Sequence, residues 1–503
     1  MIPTSLSVVA EQCGGKLLAA PATAAPTSEI DPVVSSVVTD NRRVSQGSLF
    51  VAIKGERVDG NSYAGAALSA GAAGILSDNP QLACESGASA DRVIAVDDSV
   101  AAMGRLARRH VELVRAHGRA DFKVVAVTGS VGKTTTKDLL AALLADRGPL
   151  VAPPHSFNNP IGMPVTALRV DEQTATLVLE MGADHIGDIE QLAAIAPPDV
   201  AIVLIVARAH LGEFGGIDNV AKAKSELVLG ARAGAPVILN GDDVRVAHMG
   251  EIAHGPVWYF STRGRMAGAG VEAAIYATDI RVDEADHAEF TLHTPAGEAP
   301  VRLALVGEHH VANALAAASA AHVLGIPLER IAQVLSTAGA ASAHRMAVST
   351  VAGATVIDDS YNANPDSMRA GIRALTRLGR GRRMVAVLGK MNELGEHSTD
   401  EHRSLGCVVA ESGVDVLVGI GDDGDVRALV DSAQSAAHSD GKELQTVTIA
   451  DVDEARRIVP TLIVSGDVVL LKGSNSSSVW KIANALTALA EPTQHDDIRM
   501  KGE

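Results

Sequence analysis

The residues whose types and spacing most directly suggest chemistry form a glycine-rich segment, TGSVGKTT, at positions 128–135. An apolar run precedes it and a helical pattern follows it, which is the context of a phosphate-binding loop. Glycines let backbone N–H groups and the helix N-terminus point at phosphate oxygens, a lysine adds charge at the β- and γ-phosphates, and a threonine hydroxyl can bind Mg²⁺. Val127 takes the first glycine position of the common G-x4-G-K-[ST] pattern, so the loop is a shorter variant. The sequence therefore predicts ATP or GTP binding by Gly129, Ser130, Val131, Gly132, Lys133, Thr134 and Thr135.

Glu180 and His210, further along the chain, are candidate metal ligands. Glu180 ends the strand-like segment TLVLE, and His210 follows the apolar segment VAIVLIV. Both are expected at the sheet edge that holds Lys133, which is the edge where α/β sheets bind ligands. With Thr134 they form a possible magnesium site, although Mg²⁺ prefers oxygen ligands and His210 taken alone favours a structural role.

Lys224 lies in a later helical pattern, and its spacing can be explained without any part in the chemistry. Lys224 lies in VAKAKSELVLG, close to Lys222 and Glu226. From spacing alone, this pattern is typical of a solvated helix face with weak charge pairs.

Length and composition exclude several classes of protein. At roughly 100 to 200 residues per domain, 503 residues suggest three domains. Aromatic residues are 2% of the chain and the net charge is -17, so nucleic-acid binding through stacked bases or a basic surface is disfavoured. A phosphate-bearing substrate must therefore meet local cations, metal ions or helix amides, because the overall field repels it.

The cysteines and the apolar segments bear on the compartment. Cys13, Cys84 and Cys407 form no Cys-x-x-Cys pair, which argues against a disulfide framework or zinc site and favours a reducing compartment. The first residues lack a basic start, so we expect no signal peptide. The longest apolar run, 200–207, is far shorter than the roughly 18 to 20 residues of a membrane helix. We expect a cytoplasmic protein without a membrane span.

The order of strand-like and helical patterns predicts an α/β protein with three domains. Residues 1–120 combine short β runs with a helical pattern at 99–117. Residues 121–340 and 341–503 each alternate apolar strands with helices, which is typical of doubly wound parallel sheets covered on both faces. The predicted strands are 35–38, 49–53, 123–127, 176–181, 200–206 and 236–240, then TVID, MVAVLG, VDVLVGI and DVVLLKG in the last block.

Taken in order, the motifs of the chain resemble those of the Mur ligases, nearly from end to end. The phosphate loop is shared across that superfamily, whereas NNPIG, DDSYNANPDSM and LGxMxELG point to its dipeptide-adding branch. The resemblance implies an N-terminal UDP-precursor-binding domain, a central P-loop ATPase-like domain and a C-terminal Rossmann-like acceptor-binding domain. The matching segments are TDNRRVSQGSLFVAIKGERVDGNSY (39–63), TGSVGKTTTK (128–137), FNNPIGMP (157–164), LEMGADHIGDI (179–189), AHLGEFG (209–215), AKSEL (223–227), GEHHVANALAA (307–317), HRM (344–346), IDDSYNANPDSM (357–368), LGKMNELGEHS (389–398) and VVLLKGS (468–474).

The same resemblance implies an activity. An ATP-dependent ligase of this branch joins D-alanyl-D-alanine to UDP-N-acetylmuramoyl-tripeptide in peptidoglycan precursor synthesis. The tripeptide carboxylate would attack the γ-phosphate of ATP, and the dipeptide amine would then attack the acyl phosphate. Lys133 and two Mg²⁺ ions would offset the negative charge gathered in this step, which accommodates the net charge of -17. We expect the C-terminal domain to close over the central one, and the protein to be a monomer.

The resemblance also implies roles for individual residues. Thr134 and Glu180 would bind one Mg²⁺, and His210 would help to bind a second. Lys224 falls on a lysine that is commonly carbamylated in this family, and this modification turns a cation into a carboxylate-like metal ligand. The resemblance therefore reverses the interpretation of Lys224 as a solvated residue, which was drawn from spacing alone. The other implied contacts are Asn313 and Arg345 with the nucleotide, Asp359 with its ribose, Tyr361 beside its base, Asn158 and Asn159 with the UDP-sugar peptide, and Asp40, Asn41, Arg42 and residues 59–61 around the uridine.

The chain departs from the family pattern at several positions. Ile205 and Ala207 stand where Asn and Gly are usual, close to His210, and Arg208 adds a cation there. These changes lead us to expect weakened activity as one outcome. The remaining departures are Asn41, His310, Lys390 and Asn475, of which the last two bear on binding of the acceptor.

Three alternatives stay open. A sister ligase that adds a single amino acid would carry a D-N-P-R motif, which the C-terminal block lacks. A folate polyglutamate ligase would lack NANPDSM. A non-catalytic relative that binds ATP or a UDP-precursor would account for the changes near His210.

Overall fold

A computed structural model describes residues 1–19, 31–154, 156–207, 214–265, 270–339 and 341–490 of the chain. His210 and Arg208 lie outside these residues. Within the described ranges, no helix is both long and apolar enough to span a bilayer.

The N-terminal part is built on a small sheet with the strand order β2-β7-β6-β5-β4, in which β4 to β7 are parallel. The helix Ser99–His117 coincides with the predicted helical pattern and begins after Asp98, whose carboxylate accepts hydrogen bonds from two backbone N–H groups. The strands are β1 (Thr4–Ser5), β2 (Lys16–Leu17), β3 (Val33–Val34), β4 (Ser36–Val38), β5 (Ser48–Ala52), β6 (Gly74–Ser77) and β7 (Val93–Ala95). The other helices are Leu6–Cys13, Ala64–Ser69 and Pro80–Glu85, with 3₁₀ turns at Asn41–Arg43, Gly60–Tyr63 and Ala90–Arg92.

The central part contains a large mixed sheet with the order β16-β15-β14-β13-β12-β11-β8-β10-β9. The predicted parallel arrangement is confirmed for β8 to β13, and β14 also pairs with β13 in parallel. The antiparallel pairings of β14 with β15 and of β15 with β16 form an extension that we did not predict. The strands are β8 (Lys123–Thr128), β9 (Leu150–Val151), β10 (Thr176–Glu180), β11 (Val200–Val203), β12 (Val237–Asn240), β13 (Val257–Ser261), β14 (Ile275–Val282), β15 (His287–Thr294) and β16 (Gly297–Val306). The helices are Lys133–Leu144, Gly162–Ala167, Asp188–Ile195, Ile217–Leu229, Val244–His248, His310–Val323 and Leu328–Thr337, with 3₁₀ turns at Ala145–Arg147 and Met249–Ile252.

Helices cover both faces of this sheet, as expected for a doubly wound arrangement. On one face, Leu139 and Leu315 are buried against Val125 and Ile202. On the other face, Leu227 lies in a buried cluster that continues into the N-terminal part. The central sheet is therefore packed against helices on both faces, and the loops at the carboxyl ends of its strands are available for ligand binding.

The C-terminal part contains a third sheet, with the order β17-β18-β22-β19-β20-β21. All its pairings are parallel except that of the edge strand β17 with β18. The strands are β17 (Ala347–Val351), β18 (Ala354–Asp358), β19 (Met384–Gly389), β20 (Val416–Ile420), β21 (Gln445–Ile449) and β22 (Val468–Lys472). The helices are Pro365–Leu378, Ser398–Glu411, Gly424–Ser439, Val452–Leu462 and Trp480–Ala490, with 3₁₀ turns at Gly395–His397 and Asn475–Ser477. The domain boundaries near 120 and 340 stay predictions.

Candidate active site

The glycine-rich segment forms a tight loop between β8 and the helix Lys133–Leu144. Gly129 and Gly132 have φ angles of 154° and 86°, which residues other than glycine rarely adopt. A Cβ atom on Gly132 would also lie 2.3 Å from Oδ1 of Asn313, so the Asn313 side chain would have to shift to accommodate it. Lys133 begins the helix, and its Nζ donates a hydrogen bond to the carbonyl of Gly129 at 2.7 Å. Burial lowers the pKa of Lys133, and the nearby Glu180 carboxylate offsets part of this effect.

A buried hydrogen-bond network joins the loop to the end of β10. Thr134 Oγ1 donates to a carboxylate oxygen of Glu180 at 2.9 Å, and both side chains are buried. Asn158 Nδ2 donates to the other oxygen of Glu180 at 2.8 Å. Ser156 Oγ lies 2.8 Å from Thr134 Oγ1. A hydroxyl and a carboxylate are thereby brought together beside the phosphate loop.

Lys224 is buried rather than solvated, so the interpretation from its spacing is wrong. Its exposed fraction is 2%, whereas Lys222 on the same helix is exposed. Glu226 is also buried and accepts hydrogen bonds from the backbone N–H groups of Gly187 and Glu190. Burial, with the charge of Lys133, lowers the pKa of Lys224 to about 7. The buried amine of Lys224 therefore loses its proton more readily than an exposed lysine does.

The C-terminal part contributes a second group of polar side chains. Arg345 Nη2 donates to Ser156 Oγ at 2.9 Å, and its guanidinium lies 4.1 Å from the centroid of the Tyr361 ring. Asp359 accepts hydrogen bonds from Lys472 Nζ and from the backbone N–H of Met346. Each carboxylate oxygen has further lone pairs, so Asp359 can still accept hydrogen bonds from a ligand.

These groups line one cavity of about 1140 Å³ between the central and C-terminal sheets. Its lining includes these predicted residues: Gly129, Ser130, Val131, Gly132, Lys133, Thr134, Thr135, Asn158, Asn159, Glu180, Lys224, Asn313, Arg345, Asp359 and Tyr361. The volume suits a nucleotide together with part of a second substrate.

Asp40, Asn41 and Arg42 lie elsewhere, in the N-terminal part. They form the 3₁₀ turn Asn41–Arg43 and its cap, where the exposed Arg42 side chain pairs with Asp40 at 2.7 Å. The guanidinium of Arg42 lowers the pKa of Asp40 to about 2. Asn61 is fully buried, and its amide bonds to Asp59, Ser77 and Asp78. The position of residues 59–61 around the uridine stays a prediction.

The departures at Ile205 and Ala207 concern residues that hold the phosphate loop through backbone atoms. The N–H of Ser130 donates to the carbonyl of Ile205 at 2.8 Å. Ser130 Oγ accepts a hydrogen bond from the N–H of Ala207 at 3.0 Å. Any residue type other than proline provides both backbone groups, so these contacts survive both substitutions.

The other departures from the family pattern lie in two different parts of the structure. His310 and Asn475 line the cavity. The Nδ2 of Asn313 lies 3.2 Å from Nδ1 of His310. Lys390 instead forms an ion pair with Asp425 at 2.8 Å and lies 3.6 Å from Asp423.

Sequence reasoning missed several residues of this cavity. Ser156 joins Thr134 to Arg345 but stands outside the FNNPIGMP motif, so no local signal marked it. Lys472, which is buried against Asp359, lies in the family-like segment VVLLKGS, but we predicted no role for it from the sequence. Asp184 also lines the cavity and lies within the LEMGADHIGDI motif, which was the signal that could have identified it.

Comparisons with known families agree with this architecture. The Mur ligase family, catalytic domain matches residues 33–111, the Mur ligase middle domain matches 127–321, and the Mur ligase, glutamate ligase domain matches 344–475. Together these matches extend over most of the chain. The chain belongs to the Mur ligase family.

Individual relatives show which members of the family the chain is similar to. The chain is 38% identical to the UDP-N-acetylmuramoyl-tripeptide–D-alanyl-D-alanine ligase of Mycobacterium tuberculosis, over 97% of this chain and 98% of the relative. A crystal structure of MurF from Acinetobacter baumannii has a TM-score of 0.80 and 30% identity, over 97% of this chain and 99% of that one. MurF ligase from Thermotoga maritima, solved in complex with ADP, has a TM-score of 0.73 and 26% identity, over 90% of this chain and 97% of that one.

Proposed function

We propose that the chain is an ATP-dependent ligase that joins D-alanyl-D-alanine to UDP-N-acetylmuramoyl-tripeptide. The observation that carries this proposal is the convergence, in one cavity, of the phosphate loop with Glu180, Lys224 and Arg345. The full-length similarity to relatives named for this reaction supports the choice of substrates. The reaction forms an amide bond and releases ADP and phosphate.

The phosphate loop and the C-terminal part bind ATP from opposite sides. Lys133 and the N–H groups at the start of its helix hold the β- and γ-phosphates. Arg345 supplies a second positive charge near Ser156, and Asp359 accepts hydrogen bonds from the ribose. Asn313 lies against Gly132 and contacts the nucleotide from the helix His310–Val323. The ADP bound by the Thermotoga maritima relative supports a nucleotide site in this fold.

The residues beside the phosphate loop fit Mg²⁺. This ion prefers oxygen ligands and usually binds through one or two carboxylates together with substrate phosphates and water. Thr134 and Glu180 provide the hydroxyl and the carboxylate. Among the described residues, no three His, Cys, Asp or Glu side chains form a metal cluster, which fits a site that ATP itself completes. When bound, Mg²⁺ would neutralise charge on the transferred phosphoryl group.

Lys224 fits carbamylation as a second source of oxygen ligands. Its side chain is buried and lines the cavity, where an uncharged amine can react with carbon dioxide. The resulting carbamate is an anion with two oxygen atoms, suited to Mg²⁺. We propose His210 as a further ligand at this place, although it lies outside the described residues.

The chemistry then follows from charge and geometry. A carboxylate is a poor electrophile, so the tripeptide carboxylate first attacks the γ-phosphorus and ADP leaves. The amine of D-alanyl-D-alanine attacks the acyl carbon, loses a proton, and displaces phosphate. Lys133 and Arg345 stabilise the negative charge that gathers in the first step. The position of the cavity between two sheets allows their approach to exclude water, which would hydrolyse the acyl phosphate.

Placement of the precursor follows from the same arrangement. Asn158 and Asn159 line the cavity next to Glu180, and we propose that they contact the peptide end of the precursor. Asp40, Asn41 and Arg42 would contact the uridine end. A single chain supplies all these groups, so we propose a monomer, and its use of ATP favours a reaction in the cytoplasm.

Phosphate release tests this proposal. The purified chain is expected to release phosphate from ATP only with Mg²⁺, the UDP-linked tripeptide and D-alanyl-D-alanine together. Release with a single amino acid would assign the chain to a sister branch. Binding of ATP without release for any amine would identify a non-catalytic relative.

A further inference from the structure

Buried side chains tie the phosphate-loop helix to the segment that leads into the C-terminal sheet. Lys137 lies one turn beyond Lys133, and its exposed fraction is 2%. Its Nζ donates hydrogen bonds to the carbonyl of Pro153 at 2.9 Å and to Ser342 Oγ at 3.2 Å. Asp138 pairs with Lys137 at 2.6 Å and accepts a hydrogen bond from the N–H of Ser342 at 3.0 Å. We call Lys137, Asp138 and Ser342 the linker clasp.

The residues that follow Ser342 are fixed at their other end by the C-terminal sheet. His344 and Met346 have φ angles of 62° and 51°, a left-handed conformation that is unusual for residues other than glycine. Such backbone persists only when its surroundings determine it. His344 Nδ1 lies 2.7 Å from Asp358, and the N–H of Met346 donates to Asp359 at 3.2 Å.

Arg345 stands between these two anchors and reaches back to the phosphate loop. It contacts Ser156, whose hydroxyl lies beside Thr134. The clasp and Arg345 therefore approach the same helix from one short segment, the clasp beyond its first turn and Arg345 near its start. Two fixed points leave a three-residue span little freedom to misplace the guanidinium.

We propose that Lys137 and Asp138 are positioning residues for nucleotide binding, which hold Ser342 so that Arg345 faces the phosphate loop. This inference rests on the proposed use of ATP. Without the clasp, Arg345 would occupy its binding position for a smaller fraction of the time. The apparent affinity for ATP falls in proportion to that fraction.

Substitutions at Asp138 test the positioning role in the full chain. Asp138→Ala removes the acceptor for the Ser342 N–H and is expected to weaken ATP binding at least fivefold by calorimetry. Asp138→Asn keeps an acceptor oxygen and is expected to recover part of this loss. Asp146→Asn is the matched control, because Asp146 follows the same helix but pairs with the exposed Arg330, away from the linker. It is expected to leave ATP binding unchanged.

A double-mutant cycle with Arg345→Ala separates positioning from general stability. If Asp138 acts through Arg345, Asp138→Ala weakens ATP binding in the wild-type background and adds less than a twofold loss in the Arg345→Ala background. Equal losses in both backgrounds, or lowered unfolding stability with unchanged ATP binding, would overturn the proposal. Should Asp138→Ala fail to fold, Ser342→Ala is used in the same cycle, since it removes the hydrogen bond from Lys137 to Ser342 Oγ and leaves the Lys137–Asp138 pair intact.

Different results would overturn the proposed function and the positioning role. A wild-type chain that binds no ATP would overturn both. A wild-type chain that binds ATP and gives equal losses in the cycle would overturn the positioning role alone.

Discussion

Thr134 and Glu180 are 46 residues apart in the chain, yet the threonine hydroxyl donates a hydrogen bond to the glutamate carboxylate at 2.9 Å. The contact joins the start of the phosphate-loop helix to the end of β10, the strand paired with β8. It brings together, beside the phosphate loop, the hydroxyl and the carboxylate that we propose as ligands of Mg²⁺.

Removing the hydroxyl of Thr134 tests this contact. Thr134→Val preserves shape but removes the oxygen, and we expect kcat/KM for Mg·ATP to fall about a hundredfold or more, since metal-assisted charge stabilisation accounts for several kcal/mol. Thr136→Val is the matched control, because the Thr136 hydroxyl is buried on the same helix without a hydrogen bond among the described residues. Equal losses from the two variants would contradict a metal-binding role for Thr134.

Substitution of Lys224 tests the proposed carbamate. We expect Lys224→Ala to abolish formation of the amide bond. Short carboxylic acids should restore part of the reaction rate, because they replace the missing carboxylate-like oxygens. Lys222→Ala removes an exposed lysine of the same helix and should leave the rate unchanged. Mass measurement of the intact wild-type chain with added bicarbonate gives a second readout. Failure of rescue, with no added mass, would count against carbamylation.

Gly132 is predicted to tolerate a side chain poorly. Its φ angle is 86°, and an added Cβ would lie 2.3 Å from Oδ1 of Asn313, so Gly132→Ala introduces both backbone strain and a clash. We expect unfolding stability to fall by roughly 1–2 kcal/mol from the strain alone, and ATP affinity to fall with it. Gly424→Ala is the control, since nothing lies within 4 Å of an added Cβ there. Unchanged ATP affinity in Gly132→Ala would contradict the proposed loop geometry.

The ion pair of Lys390 with Asp425 predicts acid sensitivity of the C-terminal part. Although burial raises the pKa of Asp425, hydrogen bonds from Lys390, Ser398 and Thr399 lower it to about 2, against an ordinary 3.8. Because the folded-state pKa is the lower one, the stabilisation is present above pH 3.8 and is lost as the pH falls from 3.8 towards 2. Its size is up to about 2 kcal/mol.

Urea unfolding of Asp425→Asn measures this contribution. We expect a loss of stability at pH 6 that shrinks by pH 3, whereas Asp422→Asn, an exposed neighbour, should change stability by less than about 0.5 kcal/mol. A loss in Asp425→Asn that is the same at both pH values would contradict the assignment.

Local patterns predicted much of the fold and the phosphate loop. The run from Lys123 to Thr134 contains strand, glycines, lysine and threonine within one segment, so its structure depends little on the rest of the chain. The antiparallel strands β14 to β16 were missed, although β14 and β15 alternate buried and more exposed residues as half-buried strands do. Continuous apolar runs mark fully buried parallel strands, and β14 and β15 contain no such run.

The burial of Lys224 and the contact of Ser156 with Arg345 could not be read from spacing. A helix pattern with Lys222, Lys224 and Glu226 does not show which face packs on the sheet, and only the fold buries two of the three. Ser156 and Arg345 are 189 residues apart, so their hydrogen bond depends on how the C-terminal sheet sits over the central one. The family resemblance suggested the role that we propose for Lys224, and the structure shows its burial.

The most direct test of the central claim is Mg²⁺-dependent phosphate release from ATP with UDP-N-acetylmuramoyl-tripeptide. The assay compares D-alanyl-D-alanine with D-alanine, diaminopimelate and no amine, and weighs the product. We predict release only with the dipeptide, and a product heavier than the tripeptide precursor by the dipeptide less one water. Release with another amine, or none with any amine while ATP still binds, would contradict the proposed reaction.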